Sequence, residues 1–149
     1  MRLHRSHVLF ALTAALSACG GGSAADQSLA GGNLNGSGVL LSTDKSSYAE
    51  GALVELSIQN QESERLAYNA CASALEVREG ATWVPGPVSL RLCTKEVSYV
   101  EAGQHRVDST GLDLGLVPGE YRIVLTLARD YAPEGEVIRA VSNPFTLTP

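Results

Sequence analysis

Val54-Glu55-Leu56-Ser57-Ile58-Gln59 alternates apolar and polar side chains without a break. Successive side chains of a strand leave on opposite faces, so Val54, Leu56 and Ile58 share one face and Glu55, Ser57 and Gln59 the other. A helix would instead repeat its apolar residues every three or four positions. The same period returns along the chain. Tyr121, Ile123, Leu125 and Leu127 alternate with Arg122, Val124, Thr126 and Ala128. Val88, Leu90 and Leu92 alternate with Ser89 and Arg91, Leu75 and Val77 flank Glu76, and Phe145 and Leu147 alternate with Thr146 and Thr148. Turn signals separate the runs: Asp44-Lys45-Ser46, Glu50-Gly51, Glu79-Gly80, Pro85-Gly86-Pro87, Ala102-Gly103, Pro118-Gly119 and Pro133-Glu134-Gly135. This punctuation predicts an all-β fold, an antiparallel β-sandwich of about seven strands. One stretch dissents. Gln61 to Arg78 places Leu66, Ala70, Ala74 and Val77 at helical spacing, so a short helix over 62–73 is the alternative. The preferred reading is a loop or edge strand through Leu66-Ala67-Tyr68-Asn69, then a strand from Ala74.

Upstream of the strands the composition changes twice. Residues 1–18 hold a basic start, Arg2 and Arg5, then the apolar run Val8 to Leu16, then the small residues Ser17 and Ala18. These are the parts of an export signal peptide. Nine residues of helix cover about 14 Å against a bilayer core of roughly 30 Å, which argues against a permanent span. Leu16-Ser17-Ala18-Cys19 resembles the lipobox of bacterial lipoprotein precursors. That resemblance implies cleavage before Cys19 and a lipid on the cysteine. Gly20 follows it where an Asp would favour inner-membrane retention, so the resemblance implies the outer membrane if the host is Gram-negative. Residues 19–37 then comprise the lipidated cysteine and a flexible tether rich in Gly, Ser, Ala and Asn. Its 18 residues after Cys19 span about 23 Å as a random coil. Residues 38–149 remain, enough for one domain with a modest core. Without Arg2 and Arg5 the formal charge moves from −5 to −7. No basic patch is visible, so nucleic acid is not an expected partner.

Two segments carry a second resemblance. Thr43-Asp44-Lys45-Ser46-Ser47-Tyr48-Ala49-Glu50-Gly51-Ala52-Leu53-Val54 resembles the opening of bacterial Ig-like and macroglobulin-like domains. Leu116-Val117-Pro118-Gly119-Glu120-Tyr121-Arg122-Ile123 resembles their Pro-Gly-x-Tyr strand entry. Trp83 after the Gly80 turn, and Ser142-Asn143-Pro144-Phe145 before the last strand, fit the same domains. The resemblance implies an immunoglobulin-like sandwich in which Tyr48 packs on the core and Gly51 turns the chain. Gly119 and Tyr121 would open a strand, with Tyr121 forming a tyrosine corner. Trp83 is expected to anchor the core. An antibody-type domain would carry a Cys two residues after the corner tyrosine; here that position is Ile123.

Cys71 and Cys93 form an even pair in a chain expected to be exported, so they are expected to bond. The bridge would fasten the Tyr68-Asn69 segment to the end of the Val88–Leu92 strand. No Cys-x-x-Cys pair exists and no histidine lies near, which argues against redox or metal use. His105 is the only histidine after the signal. A hydrolase would need it beside Ser98 or Ser109 and Asp108, but the polar run Gly103-Gln104-His105-Arg106 reads as a solvated strand or turn. Asp108 and Asp113 bracket Gly111 without the oxygen-rich spacing of a calcium loop. Glu62, Glu64 and Arg65 read as a solvated patch. No enzyme activity, cofactor or metal is expected.

The expected function is therefore a non-catalytic binding or scaffold module in the cell envelope. It would be held to the membrane by lipid and directed at an envelope protein partner. Its binding loops would lie at one end, at 79–87 and 129–136. The alternative is a proteinase inhibitor presenting the Ala81–Pro87 loop, stiffened by Pro85 and Pro87.

Overall fold

The computed structural model describes residues 38–129 and 136–149. One sheet contains β1 (Val39–Thr43), β3 (Leu53–Asn60) and β8 (His105–Gly111), in the order β1-β3-β8, with antiparallel neighbours. The other is built around β9 (Gly119–Arg129), the longest strand at 11 residues. β11 (Phe145–Thr148) and β10 (Val137–Val141) pair with successive parts of one side of β9. β5 (Ala74–Glu79) and β4 (Leu66–Tyr68) pair antiparallel with it at Tyr121–Val124 and Leu127–Arg129. β6 (Thr82–Pro85) extends β5, and β7 (Ser98–Val100) extends β4. β2 (Ser47–Ala49) pairs parallel with β11.

The eleven strand segments of the described residues thus trace eight strand paths of an antiparallel sandwich, one more than the seven expected. β4 with β5 and β10 with β11 are each one path interrupted, and β2 continues β1 onto the opposite sheet. The interruptions have local causes. Between β10 and β11, the Ser142 hydroxyl accepts from Ile123 N–H at 2.9 Å, replacing a backbone partner. Between β4 and β5, Ala70–Ala72 makes a single 3-10 turn, started by Asn69 Oδ1 accepting from Cys71 N–H at 3.0 Å. The helical spacing over 62–73 comes to no more than this turn. β4 is also an interior strand, flanked by β9 and β7 with all three residues buried, rather than a loop or edge.

The inner faces meet as the alternation requires. Val54, Leu56 and Ile58 bury their side chains against a cluster that includes Ile123, Leu125, Leu127, Phe145 and Leu147. Full burial of each such side chain is worth about 1.5–3 kcal/mol. Tyr48 and Tyr121 close the core around Phe145, one edge-on at 5.1 Å and the other stacked at 6.3 Å. The Tyr121 hydroxyl donates to the Val117 carbonyl at 2.7 Å, pinning the entry to β9. The Tyr48 hydroxyl donates to Asp44 Oδ1 at 2.6 Å and accepts from Lys45 N–H at 2.9 Å. Gly51 turns the chain at φ 71°, where a Cβ would also stand 2.8 Å from a Leu114 methyl. Gly119 begins β9 opposite Leu147.

Two buried amides hold the ends of the sandwich. Asn60 Nδ2 donates to the Glu64, Val100 and Glu101 carbonyls, while its Oδ1 accepts from Glu62 N–H. Asn143 Oδ1 accepts from Thr43 N–H at 2.9 Å, and its Nδ2 donates to Thr43 Oγ1 at 3.0 Å. The registers assign the loops to two poles. β1 starts opposite Asn60, β3 ends there, and β9 ends at Arg129 beside Leu66. Gly38, the first described residue, therefore lies at the pole of Asn60, Gln104 and Arg129. Gly51, Leu53, Gly111 and Gly119 lie at the other, about 24 Å away along β3.

Candidate functional site

The exposed surface departs most from expectation between Gly86 and Val97. No strand forms there. Val88, Leu90 and Leu92 are 87%, 91% and 100% exposed, while Ser89, Arg91 and Cys93 turn partly inward. The period of two is present but its polarity is reversed: the polar side chains face the protein and the aliphatic ones face water. Alternation alone establishes an extended chain, not which face is covered. Pro85 and Pro87 lack backbone N–H groups for ladder bonds, and the inward residues find side-chain partners instead.

Those partners make the segment a strap across the open edge between the sheets. The Arg91 guanidinium donates to Thr110 Oγ1 at 2.7 Å and to the Gly111 carbonyl on β8. It also reaches the Ser73 carbonyl beside β5 at 3.5 Å and Asp113 at 3.4 Å. Ser89 Oγ accepts from Arg91 Nε at 2.7 Å and donates to Asp113 at 3.2 Å. At one end, Gly86 N–H donates to the Leu75 carbonyl at 2.9 Å, and a Cβ on Gly86 would stand 3.0 Å from that oxygen. At the other, Cys93 is bonded to Cys71, with Cα atoms 5.6 Å apart. Asn69 Nδ2 adds a bond to the Thr94 carbonyl at 2.8 Å. The disulfide thus fastens the 3-10 turn to the end of the strap, not to the end of a strand. Beside the strap, Leu114 and Val117 are also exposed, at the pole away from Gly38.

The other candidate residues are placed as follows. Ala81–Pro87 is not a projecting loop: Thr82–Pro85 is β6, paired with Glu76–Glu79 around the Gly80 turn. Its prolines stand at the start of the strap instead, Pro85 closing β6 and Pro87 following Gly86. The Gly80 turn lies beyond the Tyr121 end of β9, at the pole opposite to that of Arg129 and Glu136. Residues 130–135 lie outside the described residues, but Arg129 and Glu136 on either side pair at 2.8 Å. Trp83 is not a core anchor. It stands opposite Arg78 on the outer face, half-buried, with the Arg122 guanidinium 4.4 Å and that of Arg78 5.9 Å from its ring. On the same face Glu76 accepts from Arg122 at 2.7 Å and from Arg139. Burial raises the Glu76 carboxyl, but these hydrogen bonds and charges outweigh it and hold its pKa below the usual value. Glu62 is not simply solvated; it pairs with Arg129 at 2.7 Å and accepts from Gly38 N–H at 3.1 Å.

His105 opens β8 on the outer face, with Nε2 2.7 Å from Ser57 Oγ. Asp108 points inward and accepts from the Tyr68 hydroxyl at 3.2 Å. Burial, then the Asp108 charge, push the Tyr68 phenol up to about 12. His105 and Asp108, three residues apart on one strand, leave on opposite faces, so the hydrolase arrangement is not assembled. Asp108 and Asp113 are likewise committed to different partners, Tyr68 and the Arg91–Ser89 pair. Cys19 lies outside the described residues.

The parallel pairing of β2 with β11, opposite a sheet of order β1-β3-β8, is the layout of an immunoglobulin-like sandwich. The family model of the bacterial Ig-like domain matches residues 35–138. The chain belongs to the bacterial Ig-like domain family. Ig-like domains of this kind are generally non-catalytic binding modules. No curated protein matches the sequence. Within this Ig-like domain the strap had no strand signal to distinguish it from a real edge. Its one legible cue was the pair of polar residues, Ser89 and Arg91, set between aliphatic neighbours and followed by a cysteine.

Proposed function

We propose that this Ig-like domain is a non-catalytic binding module of the cell envelope, tethered by lipid on Cys19, and that the Gly86–Cys93 strap is its binding surface. The supporting observation is the strap itself. Three aliphatic side chains stand almost fully in water, on a backbone held at both ends and at Arg91. Exposing such side chains contributes nothing to folding, whereas holding them in one conformation lowers the entropy lost when a partner covers them. The pole assignment agrees. Gly38 leaves from one end of the sandwich, so a membrane tether there would turn the Leu114–Val117 end and the adjoining strap outward.

The reading is tested by placing a photo-crosslinking residue at position 90 or at position 59 in intact cells. A discrete adduct from 90, absent from 59 and lost when Val88→Ser and Leu92→Ser are combined, is expected. Equal labelling from both positions would refute the strap as the binding surface. For the tether, Cys19→Ser should move the protein from the membrane to the soluble fraction; an unchanged distribution would count against lipidation.

A further inference from the structure

We infer that the strap is a substrate mimic that occupies the active-site cleft of a serine endopeptidase with an aliphatic primary pocket. Leu90 would fill that pocket, and the domain would act as its inhibitor. The inference deepens the binding role just proposed and rests on it.

Three observations select this occupant. First, the strap has the form of a cleft ligand rather than of a flat interface. Its backbone is extended and carries aliphatic side chains outward at alternate positions 88, 90 and 92. A partner must therefore be concave, take an extended strand, and offer apolar subsites at a two-residue spacing. Second, among the described residues the engaged backbone groups of the strap are Gly86 N–H, which donates to the Leu75 carbonyl, and Arg91 N–H, which donates inward to Ser89 Oγ at 3.2 Å. The outward edge is therefore available for strand-type pairing with a cleft. Third, the anchoring falls on the side of Leu90 that decides whether a bound peptide is consumed. The bond after Leu90 has Arg91 as its amine side. Arg91 is fixed through its guanidinium to Thr110, Gly111, Ser73 and Asp113, and Cys93 is bridged to Cys71 two residues later.

The chemistry follows. The enzyme's serine hydroxyl adds to the Leu90 carbonyl carbon, the Leu90–Arg91 C–N bond breaks, and the hydroxyl proton passes through the enzyme's base to the Arg91 amine. In an ordinary peptide that amine diffuses away and water hydrolyses the acyl-enzyme. Here the amine is held beside the acyl carbon, where it adds back, expels the serine oxygen and restores the peptide bond. High effective concentration of the tethered amine favours this reversal over hydrolysis. Preorganisation of the strap also removes the ordering cost that a flexible loop would carry into the complex.

The full chain, purified in detergent, is titrated against an elastase-type endopeptidase with an aliphatic primary pocket and, as control, a trypsin-type enzyme. Inhibition of the elastase-type enzyme at about 10 µM or below is expected, with Leu90→Asp weakening it by about tenfold or more. Leu90 faces solvent, so this variant leaves folding intact. Arg91→Ala should convert the chain into a substrate cut after Leu90, read by mass spectrometry. The trypsin-type enzyme should not cut after Arg91 in the folded chain, because the guanidinium is engaged. Absence of inhibition of aliphatic-selective enzymes, inhibition unaffected by Leu90→Asp, or ready tryptic cleavage after Arg91 would each overturn the inference. A crosslink from position 90 together with no inhibition would overturn the inhibitor role while leaving the binding role standing.

Discussion

Two carboxylates and two phenols connect the side-chain geometry to pH. Burial raises Asp44, yet the hydrogen bonds from Tyr48 and the Glu55 N–H, with the Lys45 charge, hold it below its usual 3.8. Glu76 is likewise held below 4.5 by Arg122 and Arg139. A depressed carboxylate stabilises the folded state above its unfolded pKa, and that contribution is lost as pH falls through the folded value. Stability should therefore hold at neutral pH and decline below the ordinary carboxylate range. Urea midpoints measured from neutral pH down to about pH 3 test this; a flat profile would contradict it. Tyr48 and Tyr68 behave in the opposite sense. Burial, then Asp44 and Asp108, push both up from 10.0 to about 12. Their contribution is whole below 10 and is lost as pH rises toward 12. Tyrosinate absorbance should accordingly show Tyr48 and Tyr68 as late phenols that ionise together with unfolding; a single step at the ordinary phenol value would contradict it.

At the scale of the element, the strap depends on its staple more than on any ladder. The disulfide closes a sequence separation of 22 residues, which corresponds to about 3 kcal/mol in the chain-entropy description. Replacing both Cys71 and Cys93 by Ala should lower stability by roughly that amount and open residues 88–92 to limited proteolysis, with the sheets retained by circular dichroism. Protection equal to that of the native chain would show that Arg91 alone suffices. The elements show what the sequence made legible. β3, β9 and β11 were readable because each has one face in the core, so burial and period agree. The Val88–Leu92 run had the same period, but its inward face is satisfied by Arg91 and Ser89, a long-range arrangement with Thr110 and Asp113 that spacing does not encode. Trp83 was obscured for a related reason: an aromatic in a strand can face the core or lie under a guanidinium, as this one does under Arg122, and only the register with Arg78 gives its side. Leu66–Tyr68 was obscured by its brevity, since three residues cannot show a period.

Across the whole molecule, the apolar side chains of the core and those of the strap are separate sets. Leu125→Ala, deep between the sheets, should lower stability by about 2–5 kcal/mol. Leu90→Ser should change it by less than about 0.5 kcal/mol, though both remove a leucine side chain. Denaturation of the two variants side by side checks the division; a large loss from Leu90→Ser would mean the strap covers the core. Gly38 lies at one pole, and the exposed Leu114 and Val117 lie at the other.

The parallel contact between β2 and β11 gives this arrangement a mechanical meaning. Thr146, Leu147 and Thr148 stand opposite Ser47, Tyr48 and Ala49, both strands running toward the pole that also receives Pro149. A force drawn between Gly38 and Pro149 acts along these strands, so their hydrogen bonds are strained together in shear instead of parting one after another. A domain pulled between Gly38 and Pro149 would accordingly resist extension at this short seam first. Thr146→Pro, which removes the N–H that donates to the Ser46 carbonyl at 2.8 Å, should lower the rupture force in single-molecule pulling.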